Sequence, residues 1–303
     1  MDPRRARAGR EGRAVTPEPF TLGPALLFCP ADRPDRFAKA AERADGVILD
    51  LEDGVGPASR EAARRALQEH PLDPARTIVR VNAVGTPDHE ADLAALAGTA
   101  YTTVMLPKAD GRFVGPLLRA DGAPYAVVAL CETAAGVLAA PALAMRPDVV
   151  ALAWGAEDLV ASLGGTSSRR ADGTYRDVAR HARSAVLLAA GAAGKAAVDA
   201  VHVDLDDLDG VRAEAEDAAA CGFTATMCVH PRHAEAVRAA YAPSGEEVER
   251  ARRLLDGAGV PPSGGAVPGG AARVDGQMVD EPLLRHARTV LERAVAGGAV
   301  GEH

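Results

Sequence analysis

Aromatic side chains are scarce in this chain, with one Trp, four Tyr and five Phe among 303 residues. A core built around rings is therefore excluded, and alanine does much of the filling. No function follows from that bias. Cysteine is scarcer still. Cys29, Cys131, Cys221 and Cys228 form no C-x-x-C pair, and three of them fall in strand-like runs. That pattern argues against zinc and for free buried thiols in a reducing cytoplasm. No apolar stretch is long enough to span a bilayer, so no membrane partner is expected. A sustained basic stripe is also missing, and the net charge is -8, which argues against nucleic acid as the main partner. The first twenty residues are polar and Arg-rich and lack the apolar centre of a secretory signal. They read as a disordered leader over 1–20, and Asp2, Glu11 and Glu18 argue against a transit peptide.

What the chain does have is an alternation of short apolar runs with Ala/Leu/Arg-rich stretches. Strands are predicted at Ala25–Pro30, Gly46–Glu52, Thr77–Asn82, Thr103–Pro107, Tyr125–Glu132, Val149–Ala156, Val198–Asp204 and Thr224–His230. Amphipathic helices are predicted between them, for example over Ser59–Glu69 and Gly210–Ala220. Several runs are apolar at successive positions, as in a parallel sheet buried on both faces. Eight strand–helix repeats over 21–255 fit an α/β fold of the (β/α)8, or TIM, barrel type. A doubly wound open sheet is the alternative, but Cys29-Pro30-Ala31-Asp32-Arg33-Pro34 is not the Gly-rich phosphate loop such a sheet often carries after its first strand.

Beyond Leu255 the composition changes, and residues 256–303 form a C-terminal extension. Asp256–Gly270 reads as a Gly/Pro-rich linker, followed by a short turn over Val274–Met278. A helix over Glu281–Val295 then carries Leu284, Ala287, Leu291 and Val295 on one stripe. That stripe must be buried, either on the chain's own barrel or on a neighbouring subunit.

Charged residues at the C-terminal ends of the predicted strands carry the chemistry, because those ends share one face of an alternating strand–helix fold. Glu132 closes the apolar run Ala126–Cys131 and is followed by the small residues Thr133-Ala134-Ala135-Gly136. A carboxylate there is costly unless paired. Asp158 follows Trp154-Gly155-Ala156-Glu157. Two carboxylates with room for water suit Mg2+, so Glu132 and Asp158 are the candidate metal ligands. Asp158 could instead cap the helix that follows, and Glu157 is a competing ligand or a structural neighbour. Arg80, in Ile78-Val79-Arg80-Val81-Asn82, needs an anionic partner if buried. It either pairs with Glu52 or Asp53 or clamps a substrate oxygen that gains charge during reaction. Asp50, Glu52 and Asp53 form an acidic cluster at the end of the second strand, suited to orient Arg80 or metal-bound water. Glu52 joins Arg80 as a catalytic candidate. His230 is either a base or a structural histidine.

With their flanks, these residues resemble the citrate lyase β-subunit-like branch of the HpcH/HpaI aldolase family. The resemblance runs from about residue 24 to residue 295. It rests on Phe28–Pro34, Ile48-Leu49-Asp50-Leu51-Glu52-Asp53, Val79-Arg80-Val81-Asn82, Leu106-Pro107-Lys108, Glu132-Thr133-Ala134-Ala135-Gly136, Gly155-Ala156-Glu157-Asp158-Leu159 and Cys228-Val229-His230-Pro231. It implies a Mg2+-dependent barrel enzyme acting on coenzyme A thioesters of hydroxy acids, with a 2-oxo acid as the other product, assembled as a homotrimer or a pair of trimers. By the same resemblance Glu132 and Asp158 match the metal ligands and Arg80 the arginine on the thioester oxygen. Arg33 and Lys39 match basic residues that contact coenzyme A. Asp280, in Gly276–Pro282, matches an aspartate that reaches into the next subunit's site as acid/base. Ala31 stands where the family usually has Gly, Ala225-Thr226 where it often has Gly-Lys, and Arg232-His233 where it often has Ser-Gln. These departures leave the acyl substrate open. The expectation is a carbon–carbon lyase on a 3-hydroxyacyl-CoA such as malyl-CoA or citramalyl-CoA. The alternatives are a thioesterase or synthase on the same site, or a citrate lyase β-subunit acting on an acyl-carrier thioester.

Overall fold

A computed structural model describes residues 17–113, 115–262 and 271–296. Positions 1–16 of the expected leader, 263–270 of the expected linker and 297–303 lie outside the described residues. In chain order the elements are β1 (Ala25–Pro30), α1 (Phe37–Arg43), β2 (Gly46–Asp50), α2 (Arg60–Glu69), β3 (Thr77–Arg80), α3 (Pro87–Leu96), β4 (Thr103–Leu106), β5 (Ala126–Cys131), α4 (Ala134–Ala144) and β6 (Val149–Trp154). There follow α5 (Ala156–Ser162), α6 (Asp177–Ala192), β7 (Ala196–Asp199), α7 (Leu208–Cys221), β8 (Ala225–Cys228), α8 (Pro231–Tyr241), α9 (Gly245–Gly257), β9 (Ala272–Val274), β10 (Gln277–Val279) and α10 (Glu281–Ala296). Strands β1 to β8 are parallel, pair in sequence order and close where β8 meets β1. The fold is a (β/α)8 barrel.

Two apolar layers follow from strand periodicity, since alternate residues face opposite sides of a sheet. Leu26, Ile48, Ile78, Met105, Val128, Leu130, Ala151, Ala153, Val198, Ala225 and Met227 fill the inside. Leu27, Leu49, Val79, Val104, Val127, Ala129 and Leu152 pack outward among the helix residues. Because both faces are buried, the alternation does not show in the sequence. It still sets the site. Asp50 is two residues past Ile48, Arg80 two past Ile78 and Glu132 two past Leu130, so all three are in phase with the inward residues at the C-terminal mouth.

Most predicted strands run one or two residues past the last ladder pair on that side. The seventh strand is the larger correction: it is Ala196–Asp199, not Val198–Asp204. Its first two residues are alanines with little strand signal, while Val201, Val203 and Leu205 look strand-like yet lie in the loop before α7. Among the described residues, the β4–β5 connection contains no α-helix, so eight strand–helix repeats is one helix too many there. Gly111, Gly115 and Pro116 break any helical run. The β6–β7 connection compensates with α5 and α6.

The chain after α8 forms a third apolar cluster, in which Ala251, Leu255, Ala258 and Val260 of the α9 segment meet Val274, Val279, Leu284 and Ala287. The stripe on α10 is thus covered within the chain at Leu284 and Ala287, while Val295 stays exposed. The turn expected at Val274–Met278 is a hairpin of β9 and β10. Asp275 and Gly276 both have positive φ, 49° and 81°, the pattern of a two-residue I′ hairpin turn. Arg293 Nη1 donates to Ala219 O at 2.9 Å and ties α10 to the foot of α7.

Candidate active site

The mouth of the barrel opens into a cavity of about 380 Å³ lined by, among others, Phe28, Asp50, Asp53, Arg80, Glu132, Gly155, Glu157, Asp158 and Met227. Three sequence candidates, Arg80, Glu132 and Asp158, therefore meet in one hollow.

Arg80 is buried and hydrogen-bonded through two of its three guanidinium nitrogens. Its Nε and Nη2 donate to Asp50 Oδ1 and Oδ2 at 2.7 and 2.6 Å, and its guanidinium carbon lies 4.8 Å from the centre of the Phe28 ring. Nη1 is 3.0 Å from Glu52 Oε2, without the alignment of a hydrogen bond. The ion-pair partners are thus Asp50 and Glu52, not Asp53. Burial works against the charge on Arg80, but the Asp50 hydrogen bonds and nearby carboxylates outweigh it and raise its pKa. Asp50 also accepts from the Glu52 and Gly54 N–H groups at 2.9 and 2.8 Å. Asn82 Nδ2 donates to Leu51 O at 2.9 Å, so the loop after β2 is pinned beside β3. Glu52 sits behind Arg80 and is not among the residues lining the cavity.

Glu132 is buried at the end of β5. Desolvation, reinforced by the charges of Asp158 and Glu52, pushes its carboxyl up to about 8. Room for it depends on Gly155, because a Cβ there would lie 2.9 Å from Glu132 Oε2. Asp158 is in the first turn of α5 and caps nothing: the N-cap position is Gly155, with no side-chain cap. Its carboxylate is instead partly exposed and turned to the cavity. Glu157 accepts from Ser168 Oγ at 2.5 Å, which fits a structural neighbour. A buried carboxylate in a glycine-made cradle, next to a second half-open one, is a donor set that fits a small hard cation keeping several waters.

Lys108 belongs to this charged cluster by its geometry, and sequence reasoning gave it no role. It follows β4 with φ 50°, a left-handed conformation rare outside glycine. Its backbone N–H donates to Glu132 Oε1 at 3.0 Å. Its Nζ donates to Glu52 Oε1 at 2.6 Å and lies 3.4, 3.7 and 3.9 Å from carboxylate oxygens of Asp158, Asp53 and Glu132. Burial works against the ammonium, but the Glu52 hydrogen bond and the surrounding carboxylates outweigh it and raise its pKa. The signal available was the short motif Leu106-Pro107-Lys108, to which no role attaches until the left-handed turn is seen.

The remaining candidates stand apart from the hollow. Arg33 is exposed and pairs with Asp35 at 3.0 Å, and Lys39 is exposed on α1. Asp280 precedes α10, where Oδ1 lies 3.4 Å from the Leu283 N–H, and it does not line the cavity of its own chain. His230 caps α8, its Nδ1 accepting from Arg232 N at 3.2 Å, which fits the structural reading.

Comparison with known proteins agrees with this fold. The model of the HpcH/HpaI aldolase/citrate lyase family matches residues 25–113 and 117–231. A citrate lyase subunit beta-like protein of Mycobacterium tuberculosis is 57% identical over 272 residues, which is 90% of this chain and 96% of that protein. The mitochondrial citramalyl-CoA lyase of Rattus norvegicus is 30% identical over 298 residues, covering 90% of this chain and 86% of the relative. A (3S)-malyl-CoA thioesterase of Cereibacter sphaeroides is 32% identical over 285 residues, covering 91% and 96%. The crystal structure of CitE from Mycobacterium tuberculosis in complex with magnesium, acetoacetate and coenzyme A is similar with a TM-score of 0.82 at 56% identity, covering 90% of this chain and 98% of that one. The chain belongs to the HpcH/HpaI aldolase/citrate lyase family.

Proposed function

We propose that this protein is a magnesium-dependent carbon–carbon lyase that cleaves a 3-hydroxyacyl-CoA thioester, such as malyl-CoA or citramalyl-CoA, into acetyl-CoA or a related acyl-CoA and a 2-oxo acid. The observation that carries this reading is the meeting of Glu132, Asp158 and Arg80 in one cavity of a fold whose relatives include a citramalyl-CoA lyase. Glu132 and Asp158 would hold the ion. Magnesium supplies Lewis-acid polarisation of the substrate's hydroxyl and of the carbonyl it becomes.

Arg80, fixed by Asp50 and backed by Glu52, presents a permanent positive charge to the thioester oxygen. The hydroxyl gives its proton to a base of the carboxylate cluster, the carbon–carbon bond breaks, and its electron pair moves onto the thioester as an enolate. Asp280 of a neighbouring subunit then delivers a proton to the enolate carbon, or removes it in the condensing direction. Arg33 and Lys39 contact the coenzyme. Glu52 acts by holding Arg80 and Lys108. These roles fit a homotrimer or a pair of trimers in which residues 256–303 bring Asp280 to the next barrel. A cytoplasmic setting fits the free thiols, and among the described residues no helix is long and apolar enough to cross a membrane.

Incubation with Mg2+ and a panel of hydroxyacyl-CoA thioesters, followed by mass spectrometry, tests the reading. An acyl-CoA with a 2-oxo acid marks a lyase. Free coenzyme A with a hydroxy acid marks a thioesterase, the second reading, which the similarity to the malyl-CoA thioesterase favours. No turnover of any thioester by protein that binds Mg2+ overturns both.

A further inference from the structure

Lys108 belongs to no ligand set, yet its ammonium lies among the four carboxylates of Glu52, Asp53, Glu132 and Asp158. Its backbone is fixed rather than loose. The Ala109 N–H donates to Leu130 O at 3.0 Å, and Ala109 O packs so closely under the start of α4 that a Cβ on Gly136 would lie 2.5 Å from it. Lys108 combines a left-handed φ of 50° with an N–H that donates to Glu132 Oε1 at 3.0 Å. A backbone conformation of this cost persists only where surrounding structure holds it.

The same residue therefore does two things to Glu132. The main chain aims it, and the side chain sets a positive charge beside it and its acidic neighbours. A cation bound through Glu132 and Asp158 must share their oxygens with an ammonium 3.9 and 3.4 Å away. A cation on those same oxygens would be a close neighbour of the ammonium, and like charges so placed repel appreciably in a partly buried site.

We propose that Lys108 is a positioning residue that sets the affinity of the site for its divalent cation, its ammonium competing for the Glu132 and Asp158 carboxylates and withdrawing toward Glu52 and Asp53 when the cation binds. This rests on reading the mouth of the barrel as a metal site. The competition keeps four acids together at low cation concentration and makes loading reversible. Arginine at this position, which keeps the charge, preserves the competition, whereas an uncharged chain of similar length removes it.

The test is calorimetric titration of the full-length protein with MgCl2 alone, without substrate. Lys108→Met should bind Mg2+ roughly tenfold or more tightly than the parent, a change of the size expected when one like charge leaves such a site. Its melting temperature should be lower in EDTA and should rise further on saturation, and Lys108→Arg should bind like the parent. Should Lys108→Met fold poorly, Lys108→Gln is titrated in its place. Equal or weaker Mg2+ affinity in the uncharged variants, alongside normal binding by the parent, overturns the inference and leaves the metal reading intact. A parent that binds no Mg2+ overturns the metal reading and this inference with it.

Discussion

At the scale of single residues, an atom that is not there decides whether Glu132 can take its position. Gly155→Ala would place a methyl group 2.9 Å from Glu132 Oε2 and 3.1 Å from its Cβ. The barrel should still fold, but Mg2+ binding measured by titration should weaken, and unchanged affinity would refute the cradle. Arg80→Ala should lower lyase turnover by roughly two to three orders of magnitude, the cost of losing one preorganised charge at a developing oxyanion. Arg80→Lys should recover little, because an ammonium cannot reproduce the paired hydrogen bonds to Asp50. Near-normal kcat in Arg80→Ala would reject its role. Glu132 and Arg80 were readable from sequence because a charge at the end of an apolar run has few bland explanations. Asp158 was harder, since a cap and a ligand occupy the same place in the text, and the structure removes the cap by putting Gly155 there. Lys108 was not readable. Its importance comes from a left-handed turn and from reach across to four acids on other elements, neither of which leaves a local pattern.

At the scale of elements, the loop between β7 and α7 rests on His202. Its Nδ1 lies 2.9 Å from Glu214 Oε2, and Glu214 also pairs with Arg169. The Glu214 hydrogen bond raises the pKa of His202. A raised basic group stabilises the fold below its unfolded value, about 6.5, and that contribution fades as pH rises through the folded value. His202→Gln should therefore cost more stability, read as melting temperature, at pH 6 than at pH 8.5. The difference should be roughly 2 °C or more, and a pH-independent loss would reject the coupling. Burial lowers the pKa of His233 nearby, and the His202 charge adds to that lowering; His202→Gln removes this addition, which offsets part of the pH 6 penalty without reversing its sign. In the C-terminal cluster, Leu284→Ala should destabilise the α9–α10 pairing by about 2–5 kcal/mol, visible as faster amide exchange there before the barrel opens. The sequence showed the helix stripe but not its cover. Leu255 and Val260 belong to segments read as barrel and linker, and the hairpin consists of two three-residue strands whose one strong mark is Asp275-Gly276.

At the scale of the molecule, the barrel was legible because eight apolar runs separated by helix-sized connections leave few other architectures for parallel strands. Its phase was not, since both faces are apolar, and only the buried positions reveal which residues point inward. If the site binds Mg2+ as proposed, millimolar MgCl2 should raise the melting temperature relative to EDTA, as any ligand selective for the folded state does. The assembly has its own test. Co-expression of Glu132→Ala with Asp280→Asn should restore turnover absent from either variant alone, because some sites then draw Glu132 from one chain and Asp280 from another. No restoration in proven mixed oligomers would place Asp280 outside its neighbour's chemistry.

The thiols carry a practical consequence. Cys29, Cys131 and Cys228 are buried, and desolvation pushes them up to about 11, 12 and 12. Cys221 alone is exposed, at the last turn of α7 and away from the mouth. Thiolate is the reactive form, so a maleimide dye should label the native protein at one defined position. The unaltered chain would then carry one tag per subunit, whose bleaching steps count the subunits in an assembly.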